Sequence, residues 1–285
     1  MLKESNIKQC TIALLHDTPL PSSQTLFKSF HLVNQEWPLT NSGALLQRLR
    51  LIGSSQILWE TTNNKNDNNK DIKNNLENEN IHNSKEITGN NSSILIFNKP
   101  IQNSKKTDFQ IIYKNIPINQ ISCCFPFSVV AYLEETKNSL SNHNENIDNI
   151  KIIGHSRWAL AKPLFSKTNN ANNTQVLMDS LVVDKEYRNY GIGKAILLYG
   201  EEILKRMKVN QIYLQTKHAE NFYLKYGYEK SKIIPIIKIE KKIYDNIPLD
   251  DKEIDKIIEI ELSSKKELKP RPFNFSNAVW MEKNL

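Results

Sequence analysis

Apolar positions along this chain recur with two periods, one suited to strands and one to helices. Residues 9–16 alternate into an apolar run and predict a strand. After Ser22 or Ser23, either of which could cap a helix, Leu26, Phe30, Val33 and Trp37 follow at spacings of 4, 3 and 4, one face of a helix that Pro38 ends or redirects. A second, short helix is expected from Ser42, with Leu45, Leu46 and Leu49 apolar and Arg48 and Arg50 on its polar side. Residues 125–133, 151–160 and 176–183 read as three successive strands, 193–207 as an amphipathic helix and 211–215 as a buried strand. A short helix at 219–226 and strands at 233–240 and 278–283 complete the order. This is the pattern of a mixed α+β fold, a layered sheet flanked by helices.

Between these elements the pattern dissolves. Nine of the twenty residues 61–80 are Asn and most of the others are charged. Such a stretch cannot bury enough apolar surface to offset the entropy of ordering it, so 60–92 is expected to be disordered. It lies within an insertion spanning 56–122, where 94–97 and 109–113 could form short strands. Polar loops are expected at 137–149 and 167–174, and a charged, variable segment at 241–269. Lengthening a flexible loop costs little stability, so 1–285 is read as one domain carrying these insertions.

Composition narrows the function. The 285 residues are 39% hydrophobic, and the longest apolar runs fall far short of the ~20 residues a membrane helix needs, so no membrane role is expected. Three cysteines make no disulfide framework, and the chain opens on no secretory signal; a reducing, cytoplasmic setting is expected. The net charge of +7 is unevenly spread: +2 on residues 1–55, −2 on 56–150, +6 on 151–230 and +1 on 231–285. The excess sits in the segments expected to fold, with no block of like charges, which argues against a nucleic-acid arm and for an anionic ligand. His155 and His218 stand in no metal-ligating spacing, and no metal is expected.

The segment with chemistry begins at the strand 176–183. It leads into Arg188-Asn189-Tyr190-Gly191-Ile192-Gly193-Lys194 and then a helix, placing two of the chain's eight glycines in one turn. Strand, glycine turn and helix N-terminus is an arrangement that binds phosphate, because bare N–H groups and the helix dipole both favour an anion. An ordinary helix-capping turn would read the same way. A Walker loop is absent, as is the acidic ribose-binding residue of a dinucleotide fingerprint.

About thirty residues on, Ala219-Glu220-Asn221-Phe222-Tyr223-Leu224-Lys225-Tyr226-Gly227-Tyr228 resembles the A-x-x-F-Y-x-x-x-G-[F/Y] signature of the GNAT acetyltransferases. The R-x-x-G-x-G turn after a strand resembles the pyrophosphate motif of the same superfamily. Within it, several stretches are similar to the N-alpha-acetyltransferases that modify the processed N-terminus of actin. They are Val33-Asn34-Gln35-Glu36-Trp37-Pro38, Arg48-Leu49-Arg50, Gly53-Ser54-Ser55, Ile153-Gly154-His155-Ser156-Arg157 and Trp280-Met281-Glu282-Lys283. The resemblance implies a GNAT acyltransferase fold and acetyl-CoA as co-substrate. It implies that main-chain groups of Leu181, Val182 and Val183 pair with the pantetheine arm as an added strand would. The turn 188–194 (Arg188, Asn189, Tyr190, Gly191, Ile192, Gly193 and Lys194) would hold the pyrophosphate, and Thr216, where the pattern usually has Asn, would join the cofactor contacts. Tyr223 would protonate or hydrogen-bond the leaving thiolate, and Asp179 would accept the amine proton through water. Trp37 would wall the peptide slot, with Arg48, Arg50 and Arg157 drawing in an acidic peptide. The implied partner is actin or another acidic N-terminus.

The implied chemistry is self-consistent. An α-amine has a pKa near ~8, so an appreciable fraction is neutral at pH 7 and a weak base suffices. The amine attacks the thioester directly, an N–H of Leu181 or Val182 serves the developing oxyanion, and Cys123 and Cys124 need no nucleophilic role. Two departures bear on the substrate. Residues 39–43 read Leu-Thr-Asn-Ser-Gly where the relatives are richer in arginine. Residues 241–269 contain Pro248 as their single proline, which argues against profilin docking on a polyproline helix. Two alternatives stay open: an acetyltransferase for another protein or small amine, and a non-catalytic acyl-CoA-binding module.

Overall fold

The computed structural model describes residues 8–68, 109–116, 125–134, 150–163, 174–237, 247, 249–263 and 277–285. The expected loops at 137–149 and 167–173, the tract 69–92, Cys123, Cys124 and Pro248 lie outside the described residues.

Among the described residues, nine strands form one mixed, mostly antiparallel sheet. They are β1 (Lys8–Leu14), β2 (Phe109–Tyr113), β3 (Phe127–Glu134), β4 (Ile150–Pro163), β5 (Gln175–Val183), β6 (Gln211–Thr216), β7 (Glu229–Lys230), β8 (Pro235–Ile237) and β9 (Val279–Asn284). Their spatial order is β2-β1-β3-β4-β5-β6-β9-β7, with β8 on the end of β4. Only β1 with β2 and β5 with β6 run parallel. The strand at 109–113 inside the insertion is therefore real: it extends the sheet beyond β1.

Helices cover both faces. On one face lies α3 (Ile192–Arg206), whose Ala195, Ile196, Ile203 and Leu204 join Val129, Ile153 and Met178 in the larger core. Two glycines set its height above the sheet. A Cβ on Gly200 would stand 2.4 Å from Trp158 Cζ2, and one on Gly154 would stand 2.6 Å from Ile196 Cδ1. The other face is covered by α1 (Ser22–Glu36), α2 (Ser42–Asn68) and α5 (Asp251–Ser263), sharing a second core of Leu26, Phe30, Leu45, Leu49 and Ile257. A five-residue helix, α4 (Glu220–Leu224), follows β6.

Three expectations change. Neither Ser22 nor Ser23 caps α1: Pro21 holds that position, and Thr25 Oγ1 bonds back to the Pro21 carbonyl at 3.2 Å. The second helix is long, not short, and continues to Asn68, into the tract expected to be disordered from residue 60. The charged segment 241–269 contains a regular helix, α5. Its apolar positions Ile254, Ile257, Ile258 and Leu262 fall on one face, and Asp250 and Glu253 form reciprocal bonds of 2.8 and 3.1 Å between side chain and main chain. That reciprocal cap is a capping box, a signal present in the sequence. No helix among the described residues is long and apolar enough to cross a membrane.

Candidate active site

The site is made by β5 parting from β6. The two strands pair only from Gln175 to Met178 on β5, against Gln211 to Leu214 on β6. On the other side β5 stays with β4, but the register jumps: Arg157 faces Ser180 and Trp158 faces Met178, leaving Asp179 as an extra residue. A β-bulge of this kind bends its strand. Bulge and parting coincide, so the rest of β5 presents an open edge. Asp179 is an exposed residue although its side chain is only 19% exposed, so the exposed part is main chain.

The direction of the open groups follows from the antiparallel alternation. The Asp184 N–H donates to the Ile153 carbonyl at 2.8 Å, so this pair is hydrogen-bonded. Two residues back, Val182 and His155 are again a bonded pair, while Val183 with Gly154 and Leu181 with Ser156 are not. Leu181 and Val183 therefore turn their N–H and C=O groups away from β4, into the gap, whereas the N–H of Val182 is committed to β4. Of the two oxyanion-donor candidates, Leu181 has its N–H turned to the gap and Val182 has its N–H turned to β4. The Val183 carbonyl accepts from Arg188 Nε at 3.0 Å.

Beyond β5 the chain makes a single 3-10 turn, Lys185–Tyr187, and then the glycine turn. Asn189 and Gly191 take left-handed backbone (φ 68° and 84°), and α3 starts immediately after Gly191. The first N–H groups of α3 have no carbonyl behind them and face the gap's end. A Cβ built on Gly193 would lie 3.7 to 3.9 Å from Val183, Leu181 and Phe222, so the missing side chain leaves open a cradle between β5 and α4. Lys194 lies with its ammonium 5.9 Å from the Tyr226 ring centre. Tyr190 does not face this space; its ring packs on Phe109 at 4.9 Å.

These parts line one cavity of about 1490 Å³. The glycine turn, Phe222, Trp37, Arg48, Ile237 and Trp280 all line it. Five cations (Arg48, Arg157, Arg188, Lys194 and Lys217) line it against two carboxylates, Glu36 and Asp179. Arg50 is half-buried elsewhere and lines no part of it, contrary to expectation. Tyr223 also lines it and is 6% exposed. Burial pushes its phenol pKa well above the ordinary value, so the hydroxyl keeps its proton. Its ring is held edge-on between Phe222 and Tyr228.

Several of the expected ligand contacts have structural duties. Arg157 is buried, ion-paired with Asp179, and its Nε donates to the Leu51 carbonyl at 2.8 Å. It ties β4, the bulge and α2 together rather than reaching out for a peptide, and Asp179 offers one oxygen beyond that pair. Thr216 accepts the Ala219 N–H at 3.0 Å and shapes the entry into α4 while lining the cavity. Arg188 Nη2 bonds Glu36 Oε2 at 2.7 Å across the mouth. Arg48 Nη1 donates to Asn34 Oδ1 at 2.7 Å and to the Trp37 carbonyl. Burial lowers the Arg48 pKa to about 10, opposed by the charge of Glu261. Sequence reasoning missed Glu36 and Glu261. Glu36 adjoins Trp37 in the chain but has no spacing that marks it, whereas Glu261 stands on the apolar face of α5, where a carboxylate is out of place.

Residues 148–230 match the acetyltransferase (GNAT) domain family. They run from β4 to β7, through the bulge, the glycine turn and Tyr223. The fold is the GNAT acyltransferase fold. Among solved structures, the PaiA N-acetyltransferase of Thermoplasma acidophilum in complex with coenzyme A is 16% identical; the alignment covers 55% of this chain and 60% of that one, with a TM-score of 0.28. Naa50 of Arabidopsis thaliana, in complex with a bisubstrate analogue, is 17% identical over 55% of this chain and 72% of its own, with a TM-score of 0.30. The NatC complex bound to Gag peptide and CoA is 13% identical over 55% and 70%, also at 0.30. The search of curated proteins found no match.

Proposed function

We propose that this chain is an acetyl-CoA-dependent N-terminal acetyltransferase that modifies acidic N-termini, processed actin foremost. The observation that carries the reading is the open edge of β5. Leu181 and Val183 offer main-chain groups there, in a cavity that the start of α3, Tyr223, Trp37 and Arg48 also line. The cavity exceeds the ~300–1,000 Å³ usual for one small-molecule ligand, so it has room for two substrates. Its excess of cations suits a pyrophosphate and an acidic peptide together.

Acetyl-CoA supplies the acetyl group as a thioester. Leu181 and the Val183 N–H bind the pantetheine arm as a neighbouring strand would, and the first N–H groups of α3 with Lys194 hold the pyrophosphate. Trp37 and Arg48 orient the peptide so that its amine points towards the parted strands. The Leu181 N–H donates to the thioester oxygen as negative charge develops on it. The amine loses one proton and the departing sulfur gains one. Asp179 accepts the amine proton through water, and Tyr223, kept protonated by burial, passes its proton to the sulfur and regains one through solvent. No residue of the chain forms a covalent bond with the acetyl group.

The test is acetyl transfer by the full chain to peptides that differ only in their first residues. Asp- and Glu-leading peptides are expected to react with the lowest KM, and preference for neutral or lysine ε-amines would sink the reading. A second reading, a GNAT acetyltransferase for another protein or a small amine, is favoured by one observation. Within the cavity Asp179 and Glu36 offset two of the arginines. Unchanged acetylation of actin N-termini in cells lacking the gene would favour it.

A further inference from the structure

Helix α5 lies outside the matched region, in a segment with no motif, yet it places a carboxylate beside the slot. Glu261 is fully buried. One of its oxygens contacts His31 Nδ1, and the other accepts from Asn34 Nδ2 at 2.6 Å. Asn34 is itself fully buried on α1, and its Oδ1 receives two donors, the Leu39 N–H at 3.1 Å and Arg48 Nη1 at 2.7 Å. Arg48 also donates to the Trp37 carbonyl. The orientation of the Asn34 amide is thereby forced, because its oxygen faces donors and its nitrogen faces a carboxylate. The chain of contacts runs from α5 through α1 to α2 and ends on Arg48 and Trp37, both of which line the cavity.

We propose that Glu261 is a positioning residue for the peptide slot: through Asn34 it holds the Arg48 guanidinium and the turn 37–39 in the arrangement that receives an acidic N-terminus. This rests on the function proposed above and deepens it by naming what sets the substrate preference. The physical argument is one of charge and direction. A guanidinium half-removed from water needs a compensating anion, and an anion touching it directly would cancel the charge that the peptide is to meet. Here the carboxylate stands one residue behind, separated by an amide that relays the hydrogen bonding. Arg48 keeps the rest of its fork of donors for the cavity. A direct partner, as Asp179 is for Arg157, would have spent that capacity.

The experiment uses the full chain and a kinetic cycle. Glu261→Gln keeps the shape and removes the charge; Asn34→Ser breaks the relay while leaving α5 untouched. Each is expected to raise the KM for Asp- or Glu-leading peptides by about tenfold, mid-range for residues in one charged network. The KM for acetyl-CoA should stay within about twofold, which also reports that the fold is intact. Arg48→Ala should lower acidic-peptide affinity similarly, and adding Glu261→Gln to it should cost nothing further. Equal losses on acidic and neutral peptides, or losses that add in the double variant, would overturn the proposal while leaving the acetyltransferase reading in place. If the unaltered chain binds acetyl-CoA but acetylates no N-terminal peptide, the reading itself fails, and the proposal with it.

Discussion

Tyr223 shows how much a single position draws from its neighbours. Its ring is packed edge-on against Phe222 and Tyr228, and its burial disfavours the phenolate, so the proposed role for it is that of a donor and not of a base. Tyr223→Phe is expected to lower kcat by about 10²-fold, the usual range for one acid–base group, with acetyl-CoA binding unchanged. Steady-state kinetics alongside calorimetric titration of acetyl-CoA would check it; turnover equal to that of the unaltered chain would remove Tyr223 from the chemistry, and acetyl-CoA binding with no turnover in the unaltered chain would identify a non-catalytic binding module. His155 is a residue-scale case of a different kind. It is fully buried opposite Val182, neither ring nitrogen has a hydrogen-bond partner among the described residues, and burial with the nearby Arg157 pushes its pKa down to about 3. The unfolded chain protonates this group near 6.5, so between pH 6.5 and 3 it binds a proton that the folded chain does not. Stability from this source is complete above about 6.5 and falls as the pH drops, by about 1.4 kcal/mol per pH unit. Urea unfolding at pH 7.5 and pH 5 should show the loss, and His155→Gln should reduce it by about 2 kcal/mol.

Among the elements, β5 and α3 together create the site, and each depends on a local departure from regularity. The bulge at Asp179 turns β5 from β6, and Arg157 holds the bulge from the neighbouring strand. Helix α3 can lie close enough to bring its N-terminus to the end of β5 because Gly200 rests on the Trp158 ring. A methyl group at 200 has no room in that contact, so Gly200→Ala is expected to destabilise the protein by about 1–3 kcal/mol. A thermal-unfolding midpoint equal to that of the unaltered chain would contradict this packing. Helix α5 was legible in principle. The capping box at Asp250 and Glu253 and the 3, 1, 3, 1 spacing of residues 254, 257, 258, 261 and 262 are helix signals, masked by the density of Lys, Glu and Asp around them. Its partners were not legible, because residues 31 and 34 are more than two hundred positions away.

At the scale of the whole molecule, residues 1–55 and 151–230 both contribute to one cavity, where among the described residues cations outnumber carboxylates five to two. Two of those cations are paired with carboxylates of the chain, one pair buried and one exposed, and the remainder act over distances that salt screens. Raising ionic strength from about 0.05 to 0.5 M is therefore expected to increase the KM for acidic peptides several-fold and to change little for neutral ones, since the Debye length shrinks to a few Å. A salt response identical for both classes would show that the cavity's field has no part in selection.

What the sequence by itself determined here is local and periodic. Most strands and the helix α3 follow from apolar spacing and the turn at 188–194 from its glycines, because each is settled by residues a few positions apart; the two-residue β7, polar and exposed, does not. Tertiary structure decided which of the candidate side chains are free to act. Arg157 pairs with Asp179, Arg188 with Glu36, Thr216 with the Ala219 N–H, and Arg50 and Tyr190 stand away from the cavity. The choice of Leu181 over Val182 likewise rests on strand register, and the support of Arg48 on a carboxylate from α5. The reason is physical: buried charges and hydrogen-bonding groups must find partners, and those partners come from wherever the fold brings them.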